Sequence, residues 1–69
     1  MKKHKREHLL YLIKLNKSDF IQTILEYENI NKISNLSSMQ LSIYLIEIFT
    51  QYGEEKTNKV LDLIFSKIN

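Results

Sequence analysis

Two histidines near the start of the chain have a spacing that could bind a metal ion. His4 and His8 are four residues apart, so on a helix they would lie one turn apart on the same face, as zinc ligands do. Glu7 lies between them, and the order His-Lys-Arg-Glu-His differs from the His-Glu-x-x-His of metalloproteases. The neighbouring lysines also disfavour a bound cation. We therefore expect no metal site and interpret both histidines as solvated side chains.

Other residue combinations that perform catalysis are missing from the sequence. A hydrolase triad needs a nucleophile, a base and an orienting group in one pocket, but both histidines of the chain lie in its charged start. Glu26 and Glu28 are two residues apart on a predicted helix, so their carboxylates diverge. The sequence has no cysteine and no glycine-rich phosphate loop. We expect a protein that is not an enzyme, with no catalytic residues, cofactor or small-molecule substrate.

Basic residues are concentrated at the N-terminal tip. The first six residues hold four basic side chains, and the other 63 hold six basic and eight acidic ones. Such a cluster could contact nucleic-acid phosphates, with each contact adding a salt-dependent increment to affinity. A mobile, solubilising tail over residues 1–6 is the alternative, and no basic helix face continues the cluster. Nucleic acid is therefore not the favoured partner, and the candidate residues for it are Lys2, Lys3, Lys5 and Arg6.

Length and composition limit the elements that could position any site. A chain of 69 residues makes one domain at most, which we place over residues 1–69. Without cysteine there are no disulfides, so a chain this small depends on tight helix packing or a second subunit. The absence of proline and the single glycine, Gly53, argue against an all-β fold. The sequence predicts an all-α fold, a small bundle of three to four short helices, for which homodimerisation is one way to complete the core.

Hydrophobic periodicity places four helical segments along the chain. We expect helices over about 5–15, 18–28, 39–52 and 54–68. Ser18 is the expected N-cap of the second helix, and Ser37 or Ser38 that of the third. The Asn- and Ser-rich segment 29–38 is expected to be a loop, and Gly53 to end the third helix. Alternation around residues 41–48 also permits a strand, although length and cap signals favour a helix.

The third predicted helix is apolar almost all the way round. Residues 39–52 read MQLSIYLIEIFTQY, with a narrow polar stripe at Gln40, Glu47 and Gln51. A helix of this kind needs partners on several sides, so it is either the buried centre of the bundle or a surface that meets another protein. We predict that Ile43→Asp or Ile46→Asp leaves the monomer helical and abolishes association. The predicted partner-binding residues are Ile43, Tyr44, Ile46 and Phe49.

No segment has the roughly 20 apolar residues of a membrane span, and the apolar run 9–13 is shorter than that of a signal peptide. We expect a cytoplasmic protein. The predicted function is a small protein–protein interaction module that modulates a partner protein, as a regulatory adaptor, antirepressor or antitoxin does, with self-association expected. Two alternatives remain. One is a nucleic-acid-associated regulator that uses the basic N-terminus, and the other is a bacteriocin-immunity-like protein at the membrane surface.

Residues 11–32 read YLIKLNKSDFIQTILEYENINK. The leading Tyr-Leu, the Ile-x-Thr and the final Asn-Lys are similar to the start of the Hha/YmoA family, which consists of small all-helical modulators that bind nucleoid-structuring proteins. The resemblance implies a protein that acts by binding a DNA-binding partner. The Ala-Asp-His-Arg segment in the third helix of that family has no counterpart, because this chain reads IEIFTQYG there. The resemblance therefore assigns no membership.

Overall fold

Three α-helices make up most of the chain. The computed structural model describes residues 2–67, apart from the side chains of residues 2–4 and 33. The helices are α1 (Lys2–Lys14), α2 (Ser18–Tyr27) and α3 (Ser38–Lys67), and a 3-10 turn spans Ile30–Ile33. No strand occurs between residues 2 and 67. The all-α prediction is confirmed, and the strand alternative for residues 41–48 is wrong.

Helix α3 folds back on itself in the middle. A straight helix of its 30 residues would be about 45 Å long, whereas the longest dimension of the molecule is 25 Å. The fold occurs at Gly53, which has φ +88° and ψ −174° and interrupts the helical backbone. We call residues 38–52 the N-terminal arm of α3 and residues 54–67 its C-terminal arm.

Gly53 is required by its backbone conformation. A positive φ combined with an extended ψ is a region that essentially only glycine occupies. A Cβ atom at this position would have no atom within 4 Å, so steric room is not the constraint. The predicted helix end at Gly53 is present, but its ψ is extended, whereas a helix-ending glycine usually adopts the left-handed helical ψ. The buried hydroxyl of Thr57 donates to the Gly53 carbonyl at 2.8 Å and fixes the first turn of the C-terminal arm.

Ion pairs set the register between α1 and the C-terminal arm. Arg6 Nε lies 2.7 Å from Asp62 Oδ1, and Lys14 Nζ lies 2.7 Å from Glu54 Oε1. The two pairs are eight residues apart on each helix and in opposite order, so the helices run antiparallel. Helix α1 is also antiparallel to α2, because Lys5 near its start pairs with Glu28 just after the end of α2.

The core draws on all three helices and on the 3-10 turn. Apolar side chains at helical spacing meet there, as the periodicity of the sequence predicts. Ile30 at the start of the 3-10 turn is fully buried and holds the segment between α2 and α3 against the core. The large side chains that are almost completely buried are Leu9, Ile13, Ile21, Leu25, Ile30, Leu45 and Leu61.

The turn between α1 and α2 explains one error of the sequence prediction. Asn16 adopts the left-handed conformation with φ +57°. Its N–H donates to the Ile13 carbonyl and the Lys17 N–H donates to the Leu12 carbonyl, which is the pairing of a Schellman helix end. Lys17 is therefore both the last residue of this motif and the N-cap of α2. Ser18 is the first helical residue and not the predicted N-cap.

Two other boundaries differ from those predicted. Helix α1 begins at Lys2, three residues earlier than expected. The expected loop 29–38 contains the 3-10 turn, which follows Asn29 in the left-handed conformation. Asparagine tolerates this conformation because its short polar side chain can hydrogen-bond locally. Met1 and Ile68 lie outside the described residues, as does the side chain of Ile33.

Two adjacent serines at the start of α3 differ in hydrogen bonding and therefore in expected stability. Ser37 and Gln40 form a capping box: the Gln40 N–H donates to Ser37 Oγ at 3.2 Å, and the Ser37 N–H donates to Gln40 Oε1 at 3.0 Å. The buried Ser38 hydroxyl has no hydrogen-bond partner among the described residues. We expect Ser37→Ala to lower the free energy of unfolding by about 1 kcal/mol and Ser38→Ala to leave it unchanged or raise it. Urea denaturation of both variants measures this, and equal losses would contradict it.

Candidate interaction surfaces

The predicted partner-binding residues on the N-terminal arm of α3 do not form one exposed patch. Ile43 is 47% exposed, whereas Ile46 and Phe49 are half-buried and pack against the core. Tyr44 follows Ile43 directly and so points about 100° further round the helix, where it lines a groove between the two arms. Of the four, the structure leaves only Ile43 and Tyr44 exposed, and they face different directions.

The basic tip is partly engaged within the molecule. Lys5 forms an ion pair with Glu28, and Arg6 bonds Asp62 and the side chain of Asn58. Both residues thus position α1 against its neighbours, which leaves less positive charge available for phosphates than the sequence suggests. The side chains of Lys2, Lys3 and His4 lie outside the described residues. His8 stacks against Tyr11 with 6.4 Å between the ring centroids.

The α1–α2 hairpin carries a second set of exposed apolar side chains. Tyr11 is 57% exposed, Phe20 62% and Tyr27 81%, and Leu15 is also exposed. We call Tyr11, Leu15, Phe20 and Tyr27 the hairpin face. By helical spacing Phe20 belongs to one apolar stripe with Ile21, Ile24 and Leu25, which predicts a buried side chain, and that prediction is wrong because Phe20 is exposed. The missed signal was the spacing of Phe20, Ile24 and Tyr27 at i, i+4 and i+7, which defines a second helix face beside the buried one.

A groove of about 370 Å³ lies between the two helices at one end of the hairpin face. Lys5 and Glu28 form their ion pair in its wall, and Lys5 Nζ lies 5.4 Å from the centroid of the Tyr27 ring. Ile24 supplies apolar surface. The residues that line the groove have no net formal charge when the histidine is neutral, and they are Lys5, His8, Thr23, Ile24, Tyr27 and Glu28.

A second groove, of about 350 Å³, lies between the two arms of α3 and the segment 30–36. We call it the arm groove. Its apolar lining includes Leu41 and Tyr44 from the N-terminal arm and Leu63 from the C-terminal arm, and Leu63 is 64% exposed. Lys67 is the charged residue in the lining. The arm groove is therefore an apolar slot with a positive charge at its edge.

Two lysines lie in or next to the arm groove. Lys67 lines the groove, and Lys32 lies between two lining residues, Ile30 and Ser34, in the sequence. Neither Lys32 nor Lys67 forms an ion pair within residues 5–67. The sequence could not reveal this grouping, because the two lysines are far apart along the chain.

The described part of the chain offers no arrangement for metal binding or for crossing a bilayer. Among the described side chains of residues 5–67, no three from His, Asp or Glu come together in a way that could hold a metal ion. None of the helices in that range combines the length and apolar character of a membrane span.

No family model, curated protein or solved structure matches this chain. The similarity to the start of the Hha/YmoA family is therefore not supported by a match to a family model.

Proposed function

We propose that this chain is a non-enzymatic interaction module of the cytoplasm that pairs with a second copy through its hairpin face and modulates a partner protein. The observation that carries the proposal is the exposure of Tyr11, Phe20 and Tyr27, each by more than half, on the two helices of the α1–α2 hairpin. Aromatic residues are enriched in the cores of protein interfaces. Tyrosine suits this position because its ring packs while its hydroxyl keeps a polar partner.

The accessible area supports a contact of useful size. The exposed parts of the three aromatic rings amount to about 400 Å², which is about half of the roughly 800 Å² that each partner contributes to a standard interface. Leu15 and the lining of the hairpin groove extend the face further. A chain of this length buries only about 60% of its unfolded surface, so an additional apolar contact would raise its stability substantially.

A second copy is the occupant that the charge of this face favours. Lys5 and Glu28 neutralise each other at the groove, so the face has no net charge that would select an oppositely charged partner. An apolar, neutral surface can pair with the same surface of another copy about a two-fold axis, as in most homodimers.

Light scattering on single variants tests the proposal. We expect the parent chain to have the mass of a dimer and Phe20→Asp to have that of a monomer, because a charge within an apolar interface must lose its water. Phe20 is exposed, so the variant should keep its helical circular dichroism. The matched control is Ile43→Asp, which places the same charge on the N-terminal arm and should remain a dimer.

The reverse result for the two Asp variants would locate the interface elsewhere. A monomeric Ile43→Asp beside a dimeric Phe20→Asp would place the interface on the N-terminal arm, as the sequence predicts, and would reject the hairpin face. A parent chain that is a monomer at every concentration would reject self-association.

A further inference from the structure

We infer that the arm groove is the binding site for an acidic, amphipathic helix of the partner protein. The inference rests on the proposed function and specifies the chemistry of the partner that the module would modulate. Helices that bind in grooves insert apolar side chains at i, i+3, i+4 and i+7 and leave their polar face at the rim. The arm groove provides the apolar slot for such side chains. The lysines near it favour a partner helix whose polar face carries negative charge.

The slot has the size and lining for apolar side chains. Its volume of about 350 Å³ is at the low end of that of ligand pockets and accommodates a few large side chains. Leu41 and Val60 contribute to its floor, and the exposed Leu63 and Tyr44 stand at its edges on opposite arms. A partner side chain placed between Leu63 and Tyr44 would remove apolar surface of both from water.

The charges around the groove are mostly positive and are free to bind carboxylates. Lys67 lies in the lining and Lys32 is exposed on the 3-10 turn beside it, and neither has an ion pair within residues 5–67. Lys59 is exposed on the C-terminal arm, one turn before Leu63.

Two of the acidic groups near this end of the molecule are already paired, since Glu28 and Asp62 are in ion pairs with Lys5 and Arg6. Glu26, at the end of α2, accepts a hydrogen bond from the neutral side chain of Gln22 and keeps its negative charge. On the N-terminal arm the acidic residue is Glu47, which is one turn from Tyr44 toward Gly53. We therefore expect the partner helix to direct its carboxylates toward Lys32 and Lys67, away from Glu47.

A peptide fits these features better than a nucleic acid does. Reading of bases needs hydrogen-bonding side chains aimed at base edges, whereas Ser34 and Lys67 are the polar residues of an otherwise apolar lining. Binding through the phosphate backbone depends on many neutralised phosphates, and Lys5 and Arg6 are already paired with carboxylates.

Selection from a peptide library tests the inference with defined probes. Sixteen-residue amphipathic helices would carry Leu, Ile, Phe or Met on one face and Glu, Lys, Gln or Ser on the other, and would be selected on the purified chain. We expect enriched peptides to be rich in Glu, and the Lys32→Glu/Lys67→Glu double variant to enrich Lys instead. Both lysines are exposed, so the double variant should fold normally.

Affinities of the best acidic peptide then locate the site. We expect Leu63→Asp to weaken binding by at least about tenfold, equivalent to about 1.4 kcal/mol, and the milder Leu63→Gln to weaken it in the same direction. Phe20→Asp should bind the peptide as the parent does, because the hairpin face is a different surface. Circular dichroism would confirm that each variant is helical.

Several results would overturn the inference. They are the absence of any enrichment, enrichment without a charge preference, and equal binding to Leu63→Asp. The chain could instead bind a 20-base-pair DNA duplex, or vesicles of anionic lipid, more tightly than the peptide. If the lysine double variant lost that binding, the lysines would be a binding site for nucleic acid or for a membrane surface. If the parent chain is a dimer but no peptide is enriched, the result would reject the arm groove as a binding site and leave the proposed dimer standing. If the parent chain is a monomer that binds the acidic peptide, the result would reject the proposed dimer and leave the binding site in the arm groove standing.

Discussion

Replacing Gly53 by alanine is expected to lower the free energy of unfolding by about 2 kcal/mol, within the range for a residue held in a disallowed backbone region. The loss arises from the φ of +88° with an extended ψ, since a Cβ would contact no atom within 4 Å. For a domain of this length it corresponds to a fall in melting temperature of about 10 °C. Thermal unfolding followed by circular dichroism at 222 nm measures the change.

Gln51→Ala is the matched control for this substitution. Gln51 is exposed on the N-terminal arm, two residues before Gly53, and alanine there should be neutral or slightly stabilising because it is the best helix former. If Gly53→Ala melted at the same temperature as the parent, the backbone at residue 53 would not need the conformation that folds α3 back. A larger hydrodynamic size in that variant would then indicate that the two arms have joined into one straight helix.

The second large effect concerns Ile46, where the structure changes the expected outcome of a substitution. The sequence alone predicts that Ile46→Asp separates copies of a folded chain. Because Ile46 is half-buried and packs against the core, we expect Ile46→Asp to destabilise the monomer by about 3 kcal/mol or more. The total stability expected for 69 residues is only about 3–10 kcal/mol, so this variant should be partly or completely unfolded at 37 °C.

Ile43→Asp is the matched control, because it places the same charge at an exposed position of the same arm. Its side chain is 47% exposed, and we expect the substitution to change stability by less than about 1 kcal/mol. Urea denaturation of both variants gives the comparison directly. A folded Ile46→Asp with the stability of Ile43→Asp would show that Ile46 does not contribute to the core.

Much of the helical organisation could be predicted from the sequence because it depends on local patterns. The i, i+3, i+4 spacing of Leu9, Leu12 and Ile13 predicts the buried side of α1, and all three are buried. Gly53 marks the break in α3 because no other residue type suits its conformation. The loss of a Ser18 cap could not be predicted, because it depends on how the Schellman end of α1 uses the N–H of Lys17.

The candidate surfaces could be predicted less well, because exposure depends on which helices pack together. Phe20 is apolar and lies next to Ile21 in the sequence, yet Ile21 is fully buried and Phe20 is exposed. Lys5 and Arg6 belong to a basic run, and only the antiparallel register of α1 shows that Glu28 and Asp62 neutralise them. The partner-binding set on α3 stays a prediction, with Ile46 and Phe49 assigned by packing to the core.

From the antiparallel register of α1 we also expect an order in which the helices pack during folding. Lys5 and Glu28 are 23 residues apart, so the α1–α2 hairpin closes a short loop and can form as soon as the first 28 residues are available. Arg6 and Asp62 are separated by 56 residues. The side of α1 that packs against the C-terminal arm therefore stays exposed until that arm has been synthesised. During translation, the side of α1 that includes Leu10 and Ile13 would thus be the surface on which a chaperone could act, and docking of the C-terminal arm would end that interval.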